Sequence, residues 1–403
     1  MKQIRIAYMN HTGRVSGAER VLVNMVRGLD CSLYEPWVIC PADGDLSRMI
    51  LAEGVPFVES PALSARFTWE PGLLAKTAVS FCRSVAFTRK ALSSLDPEIV
   101  HANTVRAGLV ASFASFGTGR KVIWHVHDIL PRHWLSGIIR FIAWISWRTQ
   151  IIAVSHAVAQ AFCRQLSFKS RVHVIHNGTD MSRFPSKRPG NSALRKSLGV
   201  PEDAFVICAV GQICARKGLL ELLFAFTQIL HSAPQMHIVI AGKVVFPHEE
   251  KYLQRLLRVA ASPELSGHVH FTGEIHDVSA LLQTADLLVL NSHEEPFGLV
   301  LVEAMSSGTP VLATRVGGIP EIVKDSENGW LVERGDTAAL GAKLLELSLN
   351  GEVLQSVAHF ALTETCPQLS LERFQSQLQR LYAEIAQKNE RFIERTQVSN
   401  PCQ

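Results

Sequence analysis

Residues 287–314 read LLVLNSHEEPFGLVLVEAMSSGTPVLAT, a short apolar run, a longer middle segment and a second apolar run. LLVLNS and PVLAT have the length and composition of buried strands, and the spacing over residues 297–306 predicts a helix between them. Pro296 suits the first position of that helix because its φ is preset and its missing N–H needs no partner. The stretch therefore predicts a strand–helix–strand unit of a parallel sheet.

The same alternation runs along the rest of the chain in two rounds, with a polar, proline-containing stretch between them at 185–197. Strand-like segments of the two rounds are 4–9, 37–40, 98–102, 121–127, 150–155 and 171–176, then 205–211, 236–242, 269–273, 287–292, 310–314 and 329–332. This rhythm is typical of parallel sheets covered by helices. We predict an α/β fold of two Rossmann-like domains that face each other across a cleft.

The length of the chain agrees with two domains, since 403 residues exceed what a single core usually supports. We place the first domain at 1–185 and the second at 186–366. An amphipathic helix follows at 367–390, and a polar tail at 391–403 ends the chain.

Charge is distributed unequally over the two halves. Residues 1–185 carry 21 Lys and Arg against 12 Asp and Glu, a net charge of +9, whereas residues 186–403 carry 19 against 24, a net charge of −5. The basic first half indicates a negatively charged partner or surface.

The eight cysteines form no C-x-x-C pair and have neither zinc-site spacing nor a disulfide framework. The first ten residues lack the apolar core of a signal peptide, and no apolar run has the length of a membrane span. We therefore expect a cytoplasmic, reduced protein.

The segment after the strand at 287–292 contains two carboxylates in apolar surroundings, Glu295 and Glu303, which are costly unless they have partners. The amides of Phe297, Gly298 and Leu299, at the start of the predicted helix, favour phosphate. Glu303 suits a ribose diol and Glu295 the hydroxyls of a second sugar. These residues together predict a site for a nucleotide sugar.

Phosphates also need cations, and the segment GQICARKG, from Gly211 to Gly218, follows a predicted strand. It places Arg216 and Lys217 at the carboxyl end of that strand, where two adjacent cations suit a diphosphate. No D-x-D pair is placed to hold a metal ion, so we expect no metal and no cofactor, with these side chains in the role of Mg²⁺.

The chain resembles the retaining glycosyltransferases of GT-B fold, specifically glycosyltransferase family 4, over nearly its whole length. The pieces that carry the resemblance are EPFGLVLVE (295–303), SSGTPVLATRVGGIPEIV (306–323), GQICARKG (211–218), VIHNGTDMSRF (174–184), AVSHAV (153–158), HVHD (125–128), GRVSGAER (13–20) and FTGEIHDVSALLQTADLLVLNS (271–292). The order and number of these pieces make the resemblance specific.

The resemblance implies roles for individual residues and domains. The first domain would bind the acceptor and the second the donor, and the C-terminal helix would return to the first domain. The donor-binding residues would be Gly17, Gly211, Arg216, Lys217, Glu295, Phe297, Gly298, Leu299 and Glu303, and the catalytic residues would be His127, Glu295, Lys217 and Arg216. His127 would contact the transferred sugar, and Gly17 would let its loop approach a phosphate.

One position departs from the family pattern. The family often has Arg directly after the first glycine of the phosphate loop, where this chain has Gln212. Either Arg216, beside Lys217, would supply the missing charge, or the phosphate would be held less tightly.

The implied reaction is transfer of a sugar from a nucleotide diphosphate sugar to a saccharide or lipid-linked acceptor with retention, in polysaccharide or lipopolysaccharide synthesis. No carboxylate pair is arranged as in a retaining glycosidase, so we expect the leaving phosphate to take the proton of the acceptor. Two alternatives remain: a non-catalytic nucleotide-sugar-binding relative, and a sugar-nucleotide epimerase. No nucleic-acid partner is expected.

Two basic, aromatic stretches, 80–94 and 131–150, suggest peripheral attachment to the anionic inner face of the cytoplasmic membrane. The alternative is that 131–150 is a helix packed on the sheet.

Overall fold

A computed structural model describes residues 3–63, 71–131, 133–146, 148–163, 171–186, 193–275 and 277–398. The chain divides into two compact units, the first formed by Met1–Gly178 with Leu371–Gln403 and the second by Thr179–Ser370. Residues 187–192 of the predicted linker lie outside the described residues. Our boundaries after residues 185 and 366 therefore stay predictions.

The first unit is built on a parallel sheet of seven strands in the order β3-β2-β1-β4-β5-β6-β7. Its strands are β1 Ile4–Met9, β2 Tyr34–Cys40, β3 Phe57–Glu59, β4 Ile99–Ala102, β5 Lys121–Val126, β6 Thr149–Ala153 and β7 Val172–Val174. The helices between them are α1 Gly17–Arg27, α2 Leu46–Ala52, α3 Pro71–Leu95, α4 Val105–Ala114, α5 Trp134–Ile145 and α6 His156–Cys163. The chain order reverses between β1 and β4, which is the topological switch point of a doubly wound sheet.

The second unit repeats this plan with six parallel strands in the order β10-β9-β8-β11-β12-β13. Its strands are β8 Phe205–Val210, β9 Met236–Ala241, β10 Val269–Gly273, β11 Leu287–Leu290, β12 Val311–Thr314 and β13 Trp330–Val332. Its helices are α7 Ala193–Ser197, α8 Leu219–Leu230, α9 Glu250–Ala260, α10 Val278–Thr284, α11 Leu299–Ser306, α12 Ile319–Ile322, α13 Thr337–Ser348 and α14 Gly351–Phe360. Here the switch point lies between β8 and β11.

Burial of the strands explains their uninterrupted apolar composition. All six residues of β9 are buried, because helices cover both faces of a parallel sheet. The core of the second unit joins Phe226 and Leu222 of α8 to Ile238 of β9 and Leu344 of α13.

The last helix, α15 Leu371–Val398, packs against the first unit, as predicted. Tyr34 Oη donates to Gln379 O over 3.0 Å, and Gln379 Nε2 donates to Gly28 O over 3.2 Å. Phe374 and Tyr382 bury their rings in that unit. The α/β fold of two Rossmann-like units with a returning helix is therefore confirmed.

Candidate functional site

The cationic loop and the acidic loop of the second unit follow the two strands at its switch point. Residues 211–218 follow β8, and residues 291–298 follow β11, its neighbour in the sheet. Besides the Lys217–Glu295 pair, the loops are joined by hydrogen bonds from Asn291 Nδ2 to Gly218 O at 2.8 Å, from His293 N to Arg216 O at 2.7 Å, and from Arg216 Nη1 to Glu294 O at 3.1 Å. Ligands of doubly wound sheets bind at this position.

Lys217 is the partner that the buried Glu295 carboxylate requires. Its Nζ lies 2.6 Å from Glu295 Oε2, and the two side chains are 15% and 10% exposed. Ser292 Oγ donates to the same carboxylate oxygen over 3.3 Å, and the Glu295 carbonyl accepts from Gly318 N over 2.9 Å. The acidic residue is therefore fixed from three sides by loops that follow β8, β11 and β12.

Two glycines make this arrangement possible. Gly218 has φ +59°, and a Cβ there would lie 2.1 Å from Asn291 O. Gly317 has φ +53°, and its Cβ would lie 2.0 Å from Glu295 O. Because each added Cβ would collide with backbone, both positions require glycine. Neither was among the predicted site residues, although the paired glycines of VGGIP could have indicated a tight backbone contact.

Arg216 differs from Lys217 in exposure. The Arg216 side chain lies at the surface, and its guanidinium donates to the carbonyl directly before Glu295. Gln212 is half-buried in the same loop, and Gly211 adopts φ +144° at the end of β8. The structure thus places Arg216 beside the Glu295 loop, where its charge is accessible.

The helix after Glu295 begins later than we predicted. Gly298 is its N-cap, in the left-handed region with φ +104°, and α11 starts at Leu299 rather than at Pro296. The Phe297 side chain is buried in the core. The positive end of the helix is consequently formed by the amides of Leu299 and Val300, while Leu301 N donates to Gly298 O.

Glu303 lies in the second turn of α11 and is half-buried. Its sequence neighbours Val302 and Ala304 are fully buried. Successive helical residues point in directions about 100° apart, so the carboxylate can reach the surface although both neighbours face the core.

In the first unit, polar residues gather at the corresponding switch point. Asn10 follows β1, Asn103 follows β4 and His127 follows β5. Asn103 Nδ2 donates to Asn10 Oδ1 over 3.3 Å and to Ala18 O over 3.0 Å, and His127 Nε2 lies 3.3 Å from Asn103 Oδ1. Asn103 and Asn10 were missed, because an Asn after a strand carries little signal in one sequence.

This geometry determines the tautomer of His127. Both hydrogen atoms of the Asn103 amide are donated elsewhere, so its oxygen must accept from His127 Nε2–H. Burial lowers the pKa of His127 to about 3, although the ring keeps some accessible surface. His127 is therefore neutral near pH 7, with Nδ1 as its acceptor atom.

Behind His127 lies a buried chain of rings. The rings of His127 and His125 are 4.1 Å apart, His125 Nδ1 lies 3.3 Å from His101 Nε2, and His101 Nδ1 lies 2.6 Å from Tyr382 Oη. Tyr382 Oη in turn donates to Tyr8 Oη over 3.2 Å. Burial lowers the pKa of His101 to about 3 and raises that of Tyr382 well above its usual value. The returning helix thus supports the strand that carries His127.

Gly17 is the first residue of α1, and it is exposed. Ser16 before it caps the helix together with the buried Glu19, whose carboxylate accepts from Ser16 N over 3.0 Å and from Asn10 Nδ2 over 3.0 Å. A Cβ at Gly17 would meet nothing within 4 Å. No contact within the described chain requires glycine there.

Two features are absent from the part of the chain that the structure describes. The described residues contain no group of three or more His, Cys, Asp or Glu side chains arranged to hold a metal ion. Among the same residues, no helix has both the length and the apolar composition needed to cross a membrane.

Two doubly wound units, each with polar side chains at its switch point, define an α/β enzyme fold of the GT-B class. Residues 15–183 match the family described as Glycosyltransferase Family 4, and residues 191–361 match Glycosyl transferases group 1. The chain belongs to this family of glycosyltransferases, so the family prediction is confirmed.

Individual relatives agree with that assignment. The chain is 27% identical to N-acetyl-alpha-D-glucosaminyl L-malate synthase of Bacillus anthracis over 62% of its own length and 63% of that enzyme. It is 31% identical to alpha-maltose-1-phosphate synthase of Mycolicibacterium smegmatis, over 62% of its own length and 68% of that enzyme. These alignments thus span about two thirds of the relatives' length.

Solved structures show the same fold. The structure of HepE from Anabaena in complex with UDP-glucose superposes with a TM-score of 0.82 at 25% identity, over 95% of this chain and 100% of that one.

Proposed function

We propose that this protein transfers a sugar from a nucleotide diphosphate sugar to a saccharide or lipid-linked acceptor, with retention and without a metal ion. The observation that carries the proposal is the Lys217–Glu295 pair at the switch point of the second unit. A cation and a carboxylate in contact suit a ligand in which a phosphate and a sugar hydroxyl are neighbours, as in a sugar diphosphate.

The remaining donor contacts follow from the positions of the side chains. Glu303 would accept from the ribose hydroxyls, and the amides at the start of α11 would face the phosphate or the sugar. Arg216 would bind the diphosphate from the surface side of the loop. HepE was solved with UDP-glucose, which supports a nucleotide-sugar donor and makes UDP-glucose the first ligand to test.

The proposed chemistry takes place on one face of the sugar. The acceptor oxygen forms a bond to the anomeric carbon while the bond from that carbon to the diphosphate oxygen breaks. The departing phosphate oxygen takes the proton of the acceptor hydroxyl, and Lys217 and Arg216 stabilise its negative charge. His127 is proposed to accept a hydrogen bond from the transferred sugar through Nδ1, as a neutral ring whose single N–H proton lies on Nε2.

The acceptor is proposed to belong to cell-surface polysaccharide or lipopolysaccharide synthesis, with the protein in the cytoplasm and attached peripherally to the membrane. The basic first half of the chain supports attachment to an anionic surface.

The donor proposal is tested by thermal shift of the full chain with UDP-glucose, GDP-mannose and ADP-glucose, because a ligand that binds only the folded state raises its melting temperature. At least one donor should stabilise the protein and release nucleotide. Glu295→Gln should abolish both effects, whereas Glu352→Gln, an exposed control on α14, should retain them. No stabilisation by any donor would contradict the proposal.

Two further readouts separate the alternatives. Binding without nucleotide release, with or without saccharide acceptors, would favour a non-catalytic relative, and epimerised donor without acceptor would favour an epimerase. Retention is tested by proton NMR of the first product, in which the anomeric configuration of the donor should persist.

A further inference from the structure

Helix α5 turns an apolar face to the surface. Five of its large side chains, Trp134, Ile138, Phe141, Trp144 and Ile145, are each between 43% and 53% exposed. Their spacing places them on one side of the helix, within an arc of about 120°. We call these five residues the apolar face of α5.

The opposite side of α5 packs on the protein. Ser136, Ile139 and Ala143 are buried there, and so is Arg140, the helix's only ionisable residue, whose Nη2 donates to Ala161 O over 3.3 Å. Helix α5 thus exposes large apolar groups and no charge, the reverse of a helix that faces water. A continuous apolar surface of this kind usually marks an interaction site.

The neighbouring helices α4 and α3 carry further exposed aromatic and basic side chains. Helix α4 contacts both α3 and α5, and Phe113 and Phe116 at its C-terminal end are 45% and 78% exposed. Arg89 of α3 donates from Nη2 to Phe116 O over 2.8 Å, and the rings of Phe81 and Phe113 are 5.5 Å apart. A basic helix therefore borders the aromatic end of α4.

The border contains cations without acids. Helix α3 exposes Lys76, Arg83, Arg89 and Lys90, and its 25 residues include neither Asp nor Glu. From residue 99 to residue 179, Asp128 is the one acidic residue in the sequence. The exposed cations of α3 thus lie one helix away from α5, with α4 between the two helices and with no acidic residue on α3, α4 or α5.

We propose that the apolar face of α5 lies on the surface of an anionic lipid bilayer, with the cations of α3 over the headgroups. Aromatic rings and exposed aliphatic chains enter the interface, where Trp is favoured, while Lys and Arg are attracted to anionic lipids. A second copy of this chain is a poor match, because it would bring two basic borders together. Arg132 and Trp147, which belong to the basic, aromatic sequence stretch, lie outside the described residues.

This inference rests on the membrane attachment of the proposed function and names the surface responsible, but it does not depend on the donor chemistry. It would place the first unit, which is proposed to bind the acceptor, next to a lipid-linked substrate.

The test is co-sedimentation of the full chain with vesicles of phosphatidylcholine, alone or mixed with phosphatidylglycerol. The unmodified protein should bind the anionic vesicles, and more weakly at high salt. Ile138→Ser/Phe141→Ser should lower the partition coefficient by at least about tenfold. Each substitution removes the free energy gained when an apolar side chain leaves water for the lipid. Leu349→Ser/Val353→Ser, at exposed apolar positions of the second unit, is the matched control and should bind like the unmodified protein.

Arg83→Gln/Lys90→Gln should reduce binding to anionic vesicles and its dependence on salt. Equal binding by the Ile138→Ser/Phe141→Ser variant and the control would overturn the assignment of this surface. It would not contradict the attachment of the protein to the membrane. Absence of binding by the unmodified protein would overturn both. Self-association that the same variant abolishes, without vesicle binding, would identify a second copy as the occupant and also overturn the proposal. Thermal shift with the donor, measured on every variant, reports folding and the donor site separately.

Discussion

Lys217 Nζ lies 2.6 Å from Glu295 Oε2, and the two residues follow adjacent strands, β8 and β11, at the switch point of the second unit. The pair holds a carboxylate in apolar surroundings and at the same time joins the cationic loop to the acidic loop. Its members should therefore be coupled both in stability and in donor binding.

We expect Lys217→Met to lower the free energy of unfolding of the second unit by about 3 kcal/mol, because it leaves the Glu295 carboxylate buried without its cation. Adding Glu295→Gln to that variant should recover part of the loss, with a coupling energy of about 1–3 kcal/mol. Urea unfolding followed by hydrogen exchange of peptides from the second unit measures both. Lys251→Met, at an exposed position of α9, is the control. Equal stability of the Lys217→Met and Lys251→Met variants would contradict the coupling.

Arg216 donates to the carbonyl of Glu294 from an exposed position, whereas Gln212 occupies the position where the family often has Arg. We expect Arg216→Ala to weaken donor binding about tenfold, the effect of one charge-assisted hydrogen bond. Gln212→Arg in the same protein should restore most of the affinity. Calorimetric titration with the donor measures this, and affinity unchanged by Arg216→Ala would show that Lys217 alone supplies the charge.

Gly17→Ala tests a ligand contact with little effect on the fold. A Cβ at this position meets nothing within 4 Å, so the free energy of unfolding should change by less than about 0.5 kcal/mol. If a phosphate approaches the Gly17 backbone, the KM of the donor or of a phosphorylated acceptor should rise several-fold. Unchanged kinetics would remove Gly17 from the site. Gly317→Ala is the contrasting variant, which should destabilise the protein because its Cβ would lie 2.0 Å from Glu295 O.

The strands of both sheets could be predicted because parallel strands covered on both faces form uninterrupted apolar runs. The segments at 4–9 and 269–273 coincide with β1 and β10. Strand β3, Phe57–Glu59, was missed, since a three-residue edge strand with partly exposed side chains resembles a loop. Local composition predicts strongly buried strands and provides little signal for short edges.

The sequence indicated that Glu295 needs a partner, because a carboxylate in apolar surroundings is costly, and the structure supplies Lys217 as that partner. The roles of both residues toward a donor stay predictions. The site was less predictable where backbone geometry decides. Pro296 predicted a helix that starts at that residue, yet the left-handed conformation of Gly298 delays the start of α11 until Leu299. Asn103 was missed because residues 101–104, HANT, contain no Asp, Glu, Lys or Arg that would need a partner. The residues that Asn103 contacts, Asn10, Ala18 and His127, are distant in the sequence.

The buried histidines of the first unit should make its stability depend on pH. Burial lowers the pKa of His101 and His127 to about 3, and burial with nearby Arg106 lowers that of His11 to about 4. Below about pH 6.5 the unfolded chain binds protons that the folded chain does not, so stability should fall as the pH is lowered from 6.5 towards 4 and level off above 6.5.

The slope of this dependence can be attributed to individual rings. Each of these histidines contributes up to about 1.4 kcal/mol per pH unit to the slope, which corresponds to one proton taken up on unfolding. His127→Gln should remove the contribution of one such proton. Urea unfolding of the first unit between about pH 5 and pH 8 measures it. His359→Gln, at an exposed position of α14, should leave the slope unchanged. Stability that is constant over this range would contradict the neutral, buried rings.

Asn103 should act as a positioning residue for His127, because its amide oxygen fixes the proton of the ring on Nε2. Asn103→Leu removes that acceptor and should lower kcat about tenfold, equivalent to about 1.4 kcal/mol of transition-state stabilisation. Asn103→Asp keeps an acceptor but loses the donors to Asn10 and Ala18, so it should retain more kcat than Asn103→Leu at similar stability. Nitrogen-15 NMR of His127 separates positioning from folding: the Nε2–H form should dominate in the unmodified protein and in Asn103→Asp, and mix with the Nδ1–H form in Asn103→Leu. An unchanged tautomer in Asn103→Leu would reduce the role of Asn103 to packing.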